Sequence, residues 1–211
     1  MPPESPDCFR TLANSARADP PKVKGSRFIG DAFPVESADE ALERLAEVRK
    51  REHVATHHCW AYRLGPTGDI FRYSDDGEPN GSAGLPIYEQ IEGSGLTNVL
   101  VVVTRYYGGT KLGTGGLVRA YVEAAGLVLD EAPKREIIVR VPVRLSFQFG
   151  DTSPAMHTIG KFDTEVAETR YSEHGTEMLL NVRRSDVEPL KASFLEALGG
   201  RGEASASASD V

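Results

Sequence analysis

The 211-residue chain has two cysteines, Cys8 and Cys59, too few for a disulfide framework, so both are expected as reduced thiols. Long apolar runs are missing. Nothing approaches the ~18 to 20 residues of a transmembrane helix. The opening, Met1-Pro-Pro-Glu-Ser-Pro-Asp7, has neither the basic start nor the apolar segment of a signal peptide. No membrane partner and a cytoplasmic location are therefore expected. A basic surplus is missing too: 24 Lys and Arg face 31 Asp and Glu, a net charge of −7. Phosphate contact is dominated by Lys and Arg, so indiscriminate binding to polyanions is disfavoured and any nucleic-acid contact must be local. Zinc-ligand spacing is absent, and the adjacent His57 and His58 fall in a strand-like segment where neighbours point opposite ways. No resident cofactor is expected from these residues. The Walker pattern Gly-x-x-x-x-Gly-Lys-[Ser/Thr] does not occur.

What is present is ordinary globular composition, 40% apolar and 26% charged, in a chain long enough for one large or two small domains. Its organising stretch runs from Val99 to Ala125. Val99 to Val103 is an uninterrupted apolar, mostly β-branched run, which predicts a strand buried on both faces. Thr104-Arg105-Tyr106-Tyr107 ends it. Gly108, Gly109, Gly113, Gly115 and Gly116 follow, before an apolar helical pattern at Leu117, Ala120, Tyr121 and Ala124. Strand, glycine loop and helix in that order suit an anion, because glycines let main-chain N–H groups approach closely and the helix start adds unsatisfied donors. Arg105, Lys111 and Arg119 stand against one acid, Glu123, between Gly93 and Leu129. The same pattern also serves a bare crossover with close helix-to-sheet packing.

A second cluster, Ser74-Asp75-Asp76-Gly77-Glu78, precedes Gly81-Ser82-Ala83-Gly84. Three carboxylates in a loop can hold Mg²⁺ or orient a base, or simply make a polar turn. Ser82 is a candidate N-cap for a helix over 83–92. If strands 70–73 and 99–104 share a sheet, the cleft would gather Asp75, Asp76, Glu78, Arg105, Tyr106 and Lys111.

Around these lie further elements. Residues 1–20 mix Pro, Ser and charge and are expected as a flexible extension. Ser37, with Glu40 three residues on, predicts a capping box for an amphipathic helix. His57 to Leu64 predicts a strand on which one of the two histidines lines a polar site. A domain boundary is expected near Pro133. Beyond it, the pattern predicts β-α-β-β-α to about residue 200, then a polar tail over 201–211.

The run from Gly93 to Gly113, with Thr114 to Tyr121 and the Lys24-x-Ser26-x-Phe28-Ile29 beginning, closely resembles the signature of the IMPACT/YigZ family. The resemblance implies an α+β fold of two domains. Residues 21–134 would resemble the second domain of the small-subunit ribosomal protein five, and residues 135–200 a ferredoxin-like domain similar to one in elongation factor G. It further implies a translation-associated protein binding RNA or the ribosome. In that reading Arg105, Lys111 and Arg119 contact phosphate and Tyr106 or Tyr107 stacks on a base. Gly108, Gly109, Gly115 and Gly116 admit main-chain contact beside Ser82. One rival is a Mg²⁺-dependent enzyme on a phosphate-bearing or nucleotide substrate, using Asp75, Asp76 and Glu78. The other is a protein-interaction scaffold whose cleft is an ion network.

Overall fold

Val99 to Val103 have no polar face to offer water, and each is fully buried. The computed structural model describes residues 7–206. It divides into two units, Met1–Ile137 and Ile138–Val211. The first contains, in chain order, β1 (Cys8–Leu12), β2 (Ala16–Ala18), β3 (Arg27–Pro34), α1 (Ala38–Arg51), β4 (His57–Leu64) and β5 (Ile70–Ser74). Then come α2 (Gly84–Gly93), β6 (Val99–Tyr106), α3 (Thr114–Glu131) and β7 (Lys134–Ile138), which reaches the boundary.

β6 is the middle of a five-stranded antiparallel sheet ordered β2-β3-β6-β4-β5. Side chains alternate across it, so it needs two cores. Val99, Val101 and Val103, with Cys59 and Ala61, pack against Ile87 and Ile91 of α2 and Leu117, Tyr121 and Val128 of α3. Leu100 and Val102, with Trp60 and Tyr62, pack against Ala41, Leu45 and Val48 of α1. Gly30 lets α3 lie tight on β3, since a Cβ there would stand 2.6 Å from the Ala124 carbonyl oxygen. At the start of α1 the Ser37 hydroxyl accepts from the Glu40 amide at 3.2 Å, and the Glu40 carboxylate accepts from the Glu36 amide at 2.8 Å. The return contact of the box therefore lands one residue upstream of the cap.

The extension expected over 1–20 is corrected for its described part. β1 pairs with β7, and β2 adds an edge to β3 with Ala18 opposite Gly30. Leu12 and Ala18 are buried in the core. Strands of five and three residues are too short to carry a periodicity; residues 1–6 lie outside the described residues.

The second unit runs β8 (Arg140–Phe147), α4 (Thr152–Ile159), β9 (Thr164–Ser172), β10 (Gly175–Arg183), α5 (Val187–Ala197) and β11 (Glu203–Ala206). Its sheet is antiparallel throughout, ordered β11-β8-β10-β9. Val143, Leu145, Leu180 and Val182 pack under Ala155, Ile159, Leu190 and Phe194 of the two helices. β11 corrects the expected polar tail over 203–206. The Ala-Ser alternation there is a period-two strand pattern, with Ala204 packed against the core. Residues 207–211 lie outside the described residues. Among the described residues, no helix is long and apolar enough to cross a membrane.

Candidate functional site

Alternation along β6 sends Arg105 to the same side as Val101 and Val103, under α3, where it is 5% exposed. A buried guanidinium needs compensation. Its Nη1 donates to Glu78 Oε1 at 2.6 Å, and the Tyr121 hydroxyl from α3 donates to the same oxygen at 2.7 Å. Nη2 reaches Ser26 Oγ at 3.5 Å, and the guanidinium carbon lies 5.4 Å and 5.5 Å from the Phe28 and Tyr107 ring centres. Nε is buried without a partner. Arg105 is thus a charge set into the floor of the site, already opposed by Glu78.

The next residue faces the other way. The Tyr106 hydroxyl donates to Glu52 Oε2 at 2.6 Å, and Glu52 also accepts from Arg17 and Arg51. Burial alone would raise the Glu52 carboxyl, but the hydrogen bonds from Tyr106, Arg17 and Arg51 outweigh it and hold the group at about 2. Tyr106 is therefore tied into an ion network on the α1 side and does not join the cleft. Tyr107 keeps its ring half exposed. Gly108 donates to Ser26 Oγ at 3.1 Å. It must lack a side chain, since a Cβ would fall 2.0 Å from the Gly25 carbonyl carbon. Gly109 takes φ +85°, and Lys111 and Arg119 are exposed. Gly115 and Gly116 form the first turn of α3, which has no side-chain cap and no acid.

The three carboxylates part company. Asp75 Oδ1 accepts from the Ala83 and Gly84 amides at 3.0 and 2.8 Å, and its Oδ2 from Gly81 at 2.9 Å. It is the cap of α2, the role expected of Ser82, whose hydroxyl instead donates to the Pro79 carbonyl at 2.6 Å. A carboxylate takes three N–H donors where a hydroxyl takes fewer, so the acid wins the position. Asp76 accepts from Arg49 and from the His58 amide, both at 2.7 Å. Only Glu78 lines the cleft. Among the described residues no group of three or more His, Cys, Asp or Glu is placed to hold a metal ion.

A cavity of about 530 Å³ opens between Glu78–Pro79, the 107–113 loop and the first turn of α3, with Arg105 and His57 in its wall. His57 opens β4 opposite Arg105. Its Nδ1 lies 2.8 Å from the Asp76 carbonyl oxygen and its Nε2 3.9 Å from Glu78 Oε1. Of the two histidines this is the one on the polar cleft; His58 is buried on the α1 side, where burial lowers its basicity. Tyr121 was legible only as helix stripe. A tyrosine in a fully buried stripe needs a hydrogen-bond partner, and that is the signal that points to Glu78.

Residues 24–129 match the model of the Impact N-terminal domain. The IMPACT family member in pol 5′region of Thermus thermophilus is 41% identical over 160 residues, covering 76% of this chain and 86% of that one. The chain belongs to the IMPACT family. Another IMPACT family member, YigZ of Escherichia coli (strain K12), is 33% identical over 152 residues, 71% of this chain and 74% of that one. A crystal structure of a hypothetical protein superposes with a TM-score of 0.71 at 26% identity, covering 97% of this chain and 99% of that one. The Impact N-terminal match contains every residue of the cleft.

Proposed function

We propose that this IMPACT-family protein binds single-stranded RNA, free or in the ribosome, at the cleft, in a translation-associated role in the cytoplasm. The observation that carries the reading is the start of α3. Its uncapped N–H groups, with no acid in that first turn, open into a cavity that Lys111 and the half-exposed Tyr107 ring also line, with the Glu78 carboxylate in it already opposed by Arg105. A phosphate fits the helix start and Lys111, and an adjacent base fits the Tyr107 face. Arg119 extends the cationic side of the loop one turn along α3. The second unit supports the ferredoxin-like reading by its β-α-β-β-α-β order and its sheet order β11-β8-β10-β9.

The Mg²⁺-dependent reading is less favoured because Asp75 and Asp76 are occupied by main-chain amides and Arg49. The test is binding of a labelled 12-nucleotide oligouridylate and of purified ribosomes across a salt series. Lys111→Ala is expected to lower the salt slope by about 1. Tyr107→Ala is expected to weaken binding by about 1–3 kcal/mol. Absence of wild-type binding to both at low salt would end the RNA reading.

A further inference from the structure

The wall of the cleft opposite the glycine loop holds two acceptors that face each other without a proton between them. His57 Nδ1 is 2.8 Å from the Asp76 main-chain oxygen. A carbonyl can only accept, so Nδ1 carries the hydrogen and the neutral ring presents a lone pair at Nε2. That nitrogen stands 3.9 Å from Glu78 Oε1, beyond hydrogen-bond reach. Glu78 cannot swing toward it, because Arg105 Nη1 and the Tyr121 hydroxyl hold the same oxygen at 2.6 and 2.7 Å. Both groups line the cavity, and Glu78 lies in its floor with its side chain 3% exposed.

A gap of this width between two fixed acceptors suits a group that brings its own proton. A hydroxyl does so by donating to either acceptor. Arg105 stands opposite His57 in the sheet register and Lys111 lines the same cavity; both are donors. Neither offers an acceptor to compete for the hydroxyl's proton.

We propose that His57 and Glu78 read the sugar of the bound strand through its 2′-hydroxyl, so that the cleft selects ribose over deoxyribose; this rests on RNA binding in the cleft. In RNA every internal phosphate is flanked by such a hydroxyl, and DNA has none. Phosphate at the α3 start and Lys111, and hydroxyl at His57 and Glu78, are then two features of one nucleotide held in one cavity.

The experiment compares oligouridylate, oligodeoxyuridylate and 2′-O-methyl oligouridylate of equal length on the intact protein at one salt concentration. Ribose is expected to bind about tenfold tighter than either analogue, the equivalent of one hydrogen bond at a polar site. His57→Ala is expected to weaken RNA about tenfold and DNA by much less, so that the preference for ribose is lost. His57→Gln, which keeps an amide in the position, is checked alongside it by thermal melting to confirm folding. Glu78 is left intact because it compensates buried Arg105. Equal binding of all three strands to the wild type, or equal weakening of RNA and DNA by His57→Ala, overturns the sugar reading and leaves the cleft standing. Binding of no strand overturns both.

Discussion

Asp75→Ala separates a structural carboxylate from a catalytic one. The Asp75 side chain accepts three main-chain N–H groups at 2.8 to 3.0 Å, two of them at the start of α2, where Ala83 has no side-chain oxygen of its own to offer. Losing an N-cap typically costs about 1 kcal/mol and up to about 2. A third donor left without an acceptor adds on the order of 1 kcal/mol, and water reaching the half-buried loop returns part of it. The expected loss is about 2–3 kcal/mol. For a chain of this size that is a fall in Tm of roughly 4–12 °C. Asp75→Asn, which keeps one acceptor oxygen, should fall between the two. The assay is thermal melting followed by circular dichroism, paired with oligouridylate binding well below the transition. An unchanged Tm in Asp75→Ala together with abolished ligand binding or turnover would refute the capping argument, because a cap must act on stability first.

Glu52→Gln tests the ion network on the α1 side. The folded carboxyl sits at about 2, below its unfolded value of roughly 4.3, so its stabilisation is fully present above that value and is lost as pH falls toward 2. With Arg17 and Arg51 39% and 46% exposed, the contribution is screened to about 1–2 kcal/mol. The wild-type advantage in Tm should be flat above pH 5 and vanish near pH 2; an advantage that grows on acidification would sink the assignment. Gly108→Ala should cost about 2 kcal/mol or more through its collision with Gly25 and Ser26. Gly109→Ala, open in space but at φ +85°, should cost about 1; denaturant titration of the pair gives the order. Phe194→Ala, fully buried against Phe147, should cost about 3–5 kcal/mol. Hydrogen exchange should quicken at β8 and β10 amides while β6 amides keep their protection.

How far the chain could be read depended on how local each cause was. The Val99 to Val103 run, the glycines after it and the stripe of α3 carry their explanation within thirty residues, and the resemblance that rested on them led to the right family. Ser37 capped α1 because the cap and its partner are three residues apart. At α2 the capping oxygen lies eight and nine residues upstream, on Asp75, and the nearer Ser82 misled. The acidic loop looked like one cluster since its carboxylates are adjacent in the chain. Asp76, at φ +44°, turns the backbone so that each points at a different element. Tyr106 was read as a stacking group because nothing near it in sequence reveals Glu52, 54 residues away in the chain.

The short strand β2 has a consequence for anyone cutting the chain into parts. The Impact N-terminal match begins at residue 24, after Leu12 and Ala18 have entered the core and Arg17 has paired with buried Asp31 and with Glu52. A fragment begun at the match would strip the rim from β3 and leave its outer N–H and C=O groups unsatisfied, inviting exchange of strands between copies. The recognisable segment and the segment that folds have different beginnings, and expression of the cleft as an isolated piece should keep the residues from Cys8 onward.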